Sequence, residues 1–350
     1  MPKFDFYTLP DTDKVAIIRS IATEKGMTPF SVEKDWWVSR TLEIIFQMPI
    51  AKRLVFKGGT SLSKAWKLIN RFSEDIDLAI DREFFGKAKN EWSKREITEL
   101  RKKAGSYSTG DFYKDFKNEF CKYGDFEGVT FGVMETKESD QDPIIIQVYY
   151  PNIIPKPSEY VLPRVLIEIG CRSLREPFTL KSFGSLVDEH YAQEKFAAPL
   201  FQVPTVNPER TFLEKLFLLH EEFHKPVEKI RVDRLSRHLY DVYHLTKAGI
   251  AQKAIHDKDL YQTIVAHRYK FTKVGGVDYN SHNPKTLNPI PIPQILNAWD
   301  NDYTVMKDEM IYEDNKPSFA DLINNLNDLR TQLQTLDWKF ELKFPITNYQ

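Results

Sequence analysis

Residues 56–80, FKGGTSLSKAWKLINRFSEDIDLAI, constrain the fold more than any other stretch of the chain. RLVFK at 53–57 reads as a buried strand, two glycines follow it at once, residues 60–69 have helical spacing, and DIDLAI at 75–80 reads as a second strand. Two strands joined through one short helix place this part of the chain in an α/β layer. Side chains alternate along a strand, so Asp75 and Asp77 share one face while Ile76 and Leu78 point the opposite way, into a core.

The remaining pattern divides into an α/β half and a mostly helical half. Residues 12–24 and 31–47 have helical spacing, the second opening at Ser31 with Lys34 at the capping-box position where Glu or Gln is usual. A charged insertion from about 83 to 124 reads as helical in two pieces, and further strands are expected at 129–135, 144–150 and 163–170. Pro199, Pro204 and Pro208 punctuate the chain; helical periodicity then returns at 209–223, 232–249, 260–269 and 321–336, with an Asn/Pro-rich loop at 279–295. The 350 residues suit two domains, expected over 1–200 and 201–350, the second completing a cleft. With 49 basic and 50 acidic residues the net charge is −1, so any nucleic-acid surface must be local. Cys121 and Cys171 are too few for a disulfide framework or a cysteine zinc site, and no signal core or membrane-spanning run is visible. The expectation is a cytoplasmic protein with no membrane contact.

The glycines let the backbone turn tightly and bring its N–H groups near an anion, and Thr60 and Ser61 add hydroxyl donors. Gly-Gly at a strand end is by itself more often just a turn. The aspartates change that reading, because two adjacent carboxylates repel each other, suit a structural role poorly, and together make a hard oxygen site for Mg2+. Gly58, Gly59, Thr60 and Ser61 would then cradle the phosphates of a nucleoside triphosphate, with Asp75 and Asp77 as ligands of a two-metal site for in-line phosphoryl transfer. Glu168, a charge within the apolar run PRVLIEIG, is the candidate third ligand; the alternative is an ion pair with Arg164 or Arg172. Glu176 and Asp142 are weaker candidates.

GGTSL followed by RFSEDIDL resembles motif I of the DNA polymerase β-like nucleotidyltransferases, and most closely the AbiEii/AbiGii-type toxin family, to which the Men-type tRNA nucleotidyltransferase toxins belong. VEKDWWVSRTLEIIF (32–46), ERTFLEKLFLLH (209–220) and SRHLYDVYHL (236–245) are similar to further family segments in the same order, over roughly 30–245; the 83–124 insertion and the tail beyond about 250 lie outside the resemblance. The resemblance implies a polymerase β-like nucleotidyltransferase domain, a mixed sheet with flanking helices, followed by a mostly helical C-terminal domain. It also implies a toxin of a toxin–antitoxin system, associated with phage defence. Such an enzyme is magnesium-dependent and transfers nucleotides from a nucleoside triphosphate to an RNA acceptor, the tRNA 3′ end, so that translation stops. Its partners are an RNA acceptor and a cognate antitoxin. By the same resemblance Lys215 contacts the triphosphate and Asp241 completes the site. On the residues alone, Lys215 is better read as a solvated lysine on an amphipathic helix, and Asp241 as a partner of Arg237 four residues earlier.

His220 and His224, with His238 and His244, have spacings that a zinc site could use, but no cysteine or HExxH glutamate accompanies them. Lys87, Lys89, Lys94, Arg95, Arg101, Lys102 and Lys103 form one basic run, and Lys225, Lys229, Arg231, Arg234 and Arg237 another; they read either as phosphate-tracking strips or as solvated helix faces. Two other classes of function share these motifs: transfer of a nucleotide to a small-molecule hydroxyl, and a non-catalytic binding module with the same fold.

Overall fold

The strand carrying Asp75 and Asp77 lies at the centre of a seven-stranded mixed sheet. The strands are β1 (Leu54–Lys57), β2 (Asp75–Ile80), β3 (Thr130–Val133), β4 (Ile144–Tyr149), β5 (Arg164–Gly170), β6 (Phe178–Phe183) and β7 (Phe201–Val206), in the order β3-β4-β5-β2-β1-β7-β6. β2 runs antiparallel to β1 and parallel to β5, β1 runs parallel to β7, and the other neighbours are antiparallel. This computed structural model describes residues 4–86, 92–124, 126–155, 162–175 and 177–345. Two compact units result, one of Met1–Trp66 with Phe72–Val206 and one of Lys67–Arg71 with Asn207–Gln350.

In the α/β unit the helix Pro29–Gln47 packs on β2 and β5. It opens two residues before Ser31: Thr28 is the cap, its Oγ1 accepting the Ser31 N–H at 3.1 Å, and Pro29 takes the first helical position, where its missing N–H costs nothing. Lys34 is therefore no capping-box residue but a buried side chain. The insertion folds as two helices, Lys94–Tyr107 and Tyr113–Lys122, joined through a π-helical turn at Ser108–Phe112. A true capping box, Ser93 with Glu96, starts the first, and Phe112, Phe116 and Phe120 give the insertion its own aromatic core. β6 and β7 were not legible in the sequence, where Pro204 falls inside β7.

The helical unit is built around Pro208–Phe223, which packs on Arg237–Lys247, Ile250–His256 and Lys258–Phe271. Phe319–Gln334 packs on Arg237–Lys247, and Leu296–Glu309 lies between them in the chain. The short segment Lys67–Arg71 belongs with these helices: Arg71 bridges Ile311, and the Asn70 carbonyl accepts the Tyr312 N–H at 3.1 Å. Among the described residues no helix is long and apolar enough to cross a membrane.

Candidate functional site

At the end of β1 the chain turns at Gly58, with φ of +78°, directly into the helix Gly58–Lys64. A Cβ at Gly58 would stand 1.9 Å from Asp77 Oδ2, so the bare glycine backbone lies against that carboxylate. The expected helix at 60–69 thus starts earlier and ends earlier, at Lys64, with Ala65 as its C-cap. Thr60 and Ser61 are fully buried and their hydroxyls are used within the protein. Thr60 Oγ1 donates to the Asp75 carbonyl at 2.5 Å and lies 2.9 Å from Ser73 Oγ, while Ser61 Oγ donates to the Gly58 carbonyl at 2.8 Å. These hydroxyls fasten the loop to the carboxylate strand, and the backbone amides of the turn are the groups left to meet an anion.

On β2 the alternation holds: Asp75 and Asp77 are half-buried, Ile76 and Leu78 buried. The Lys57 ammonium reaches across from β1 to 3.6 Å from Asp77 Oδ1. The parallel register sets Glu168 of β5 opposite Asp77 and Leu166 opposite Asp75, so Glu168 lies on the carboxylate face. Arg172 is engaged elsewhere, its Nε 3.2 Å from Asp142, which also accepts the Cys171 and Arg172 N–H groups; Asp142 is thereby a buried anchor of the β5 exit. Glu176, Lys87 and Lys89 lie outside the described residues. The donor chemistry of Asp75 and Asp77 fits a hard divalent cation. Among the described residues no group of three or more His, Cys, Asp or Glu side chains that could hold a metal ion is found, and Glu168 is the neighbour of Asp77 in register.

In the helical unit Lys215 is buried, not solvated, and Asp241 is fully buried. Asp241 turns away from the Arg237 pairing that its spacing allows. One oxygen accepts from Arg71 Nε at 2.7 Å, the other from Arg71 Nη2 at 2.8 Å and from Lys215 Nζ at 2.9 Å. Burial works against the charged carboxylate, but Arg71 and then Lys215 outweigh it and hold Asp241 below the usual carboxylate range. Burial lowers the Lys215 ammonium, against the pull of Asp241. His238 Nδ1 lies 3.3 Å from Lys215 Nζ; burial, then the Lys215 charge, push His238 well below its ordinary value, so the neutral ring accepts. The other histidines are spent on protein partners: His220 on Ser281 and Asn288, His224 on the His220 carbonyl, His244 on Glu313.

A model of the family described as "Nucleotidyl transferase AbiEii toxin, Type IV TA system" matches residues 40–325. The chain belongs to the AbiEii nucleotidyl transferase toxin family. The match extends the similarity seen in the motifs, running through the 83–124 insertion and past residue 250. The helices beyond 250 carry no chemical motif, yet they cover the helix that bears Lys215. Among solved structures, MenT4, a nucleotidyltransferase toxin from Mycobacterium tuberculosis H37Rv, is similar at 18% identity, covering 91% of this chain and 99% of its own, with a TM-score of 0.41. JHP933 from Helicobacter pylori is similar at 13% identity, covering 86% and 92%, with a TM-score of 0.40. No curated protein matches the chain.

Two residues of this AbiEii-family chain carry more than their motif suggested. Arg71 and Glu74 stand in RFSEDIDL, four residues and one residue before Asp75, but only their distant partners reveal what they do. The signal available in the sequence was an arginine and a glutamate flanking an apolar Phe72, too common to interpret.

Proposed function

We propose that this toxin is a metal-dependent transferase that moves nucleotides from a nucleoside triphosphate to an RNA acceptor, the 3′ end of tRNA, and so stops translation. The observation that carries the reading is the packing of the bare Gly58 backbone against Asp77, on a strand face that also presents Asp75. A glycine turn meeting paired carboxylates suits a charged phosphate ester and a hard cation together. Asp75 and Asp77 would hold Mg2+, with Glu168 as a further donor. When bound, Mg2+ supplies Lewis-acid charge at the phosphates. The amides of Gly58 and Gly59 hold the phosphate chain; Thr60 and Ser61 keep that turn fastened to β2. Lys215 supplies a cation for the triphosphate, and Asp241, shared with Arg71, sets the position and charge of that lysine. The exposed Lys94, Arg95, Lys102 and Lys103, and separately Lys229 and Arg231, offer phosphate contacts for an RNA acceptor. Action in the cytoplasm, release from a cognate antitoxin, and a part in phage defence complete the proposal.

The test is incubation of purified protein with total RNA and each labelled ribonucleoside triphosphate, with Mg2+ or with a chelator. Label entering the tRNA band only with Mg2+ supports the proposal. Label confined to small hydroxyl compounds would move it to a different acceptor, and no label at all would leave a binding module.

A further inference from the structure

The helix Pro29–Gln47 carries three successive charged residues, Glu33, Lys34 and Asp35, and the last two pair with side chains at the carboxylate strand and at the glycine-turn helix of the candidate site. The buried Lys34 ammonium pairs with the buried Glu74 and donates to the Leu162 carbonyl at 2.7 Å. Glu74 directly precedes β2, and Leu162 lies two residues before β5, the parallel neighbour that sets Glu168 beside Asp77. Asp35 pairs with Lys64, the last residue of the glycine-turn helix, and accepts the Leu186 N–H at 2.7 Å. Successive helical residues point about 100° apart, so the two contacts pull on different pieces. Both residues precede the segment matched by the family model, within the 32–46 stretch that is similar to a family segment.

Burying four charges is a poor way merely to hold a fold, because apolar residues of similar volume do so as well or better. We propose that Lys34 and Asp35 are positioning residues, Lys34 fixing where the carboxylate strand begins and Asp35 fixing the glycine-turn helix, so that one helix holds both in register. The proposal deepens the function given above and rests on it. Burial lowers the Lys34 ammonium, and Glu74 opposes that shift.

The experiment uses the full chain with paired substitutions, since single ones strand a buried charge. Lys34→Met with Glu74→Met, and Asp35→Asn with Lys64→Met, leave no lone charge, and their thermal midpoints should return close to wild type. The first pair should lower kcat by roughly 10²-fold and weaken Mn2+ binding, followed by electron paramagnetic resonance, with the KM for the triphosphate little changed. The second should chiefly raise that KM. Full transfer and full Mn2+ binding in both stable pairs overturns the positioning role alone. A wild-type chain that neither binds Mn2+ nor transfers a nucleotide overturns the proposed function, and this inference with it.

Discussion

A methyl group on residue 58 would lie 1.9 Å from Asp77 Oδ2, on a backbone with φ of +78°. Gly58→Ala should therefore cost about 1–2 kcal/mol from the left-handed backbone alone, with a further loss as Asp77 is displaced, and nucleotide transfer should fall with it. Urea unfolding alongside a transfer assay checks this, and a stable, active variant would contradict it. Asp241 makes a contrast with Lys215. Asp241→Asn leaves Arg71 and Lys215 buried without their shared counter-charge, a loss of about 3–5 kcal/mol, whereas Lys215→Met keeps the two-pronged Arg71–Asp241 pair and should lose only about 1–3 kcal/mol. Equal losses in urea titrations would mean that Asp241 is not the hub of the three. Gly58, Asp75 and Asp77 were legible in the sequence because a local pattern, turn then alternating strand, places them. Arg71 was not, because its partner is 170 residues away and no periodicity links the two.

At the level of elements, the alternation of β2 and the apolar runs of β4 and β5 reported themselves faithfully. β6 did not: its residues run half-buried, exposed, exposed, half-buried, exposed, buried, with no period of two, and Leu180 is among the exposed ones. β7 contains Pro204, which has no N–H to give a ladder; the strand tolerates it because its link to β1 is a single registered pair, Phe56 with Thr205, while β6 pairs along its length. The helix Leu296–Glu309 was missed although Trp299, Tyr303 and Met306 are buried at helical spacing, a signal diluted by the polar residues between them. The start of the helix Pro29–Gln47 gives a direct comparison of sequence and structure. Thr28→Ala should destabilise the protein by about 1 kcal/mol and by more than Ser31→Ala; a larger effect at Ser31 would restore the start read from the sequence.

At the scale of the whole molecule, the groups that titrate abnormally differ between the two units. Burial holds His220 and His238 well below the ordinary 6.5, and His244 and His282 below it, so these rings stay neutral in the fold while an unfolded chain takes up protons below pH 6.5. The unfolded state binds more protons there, and stability falls as pH drops through that value. Despite its burial, Glu221 is held at about 2 by Arg268 and His282, and Asp241 is also depressed, so their contribution is present above the ordinary carboxylate values and lost on further acidification. Glu33, in the α/β unit, is pushed up to about 7 by burial and has the opposite sign, taking a proton in the fold between 4.5 and 7. Regional hydrogen exchange at pH 7 and pH 5 should show protection lost first in the helices after residue 207; uniform loss would contradict this. The chemistry of β2 is central to the whole molecule, and its most direct measurement is a sequencing gel of 3′-intact and periodate-oxidised tRNA incubated with Mg2+ and each of the four ribonucleoside triphosphates. Wild-type protein should lengthen only the intact tRNA with at least one nucleotide, and Asp77→Ala should lengthen neither. An unchanged ladder with wild type, or equal extension by Asp77→Ala, would contradict the assignment.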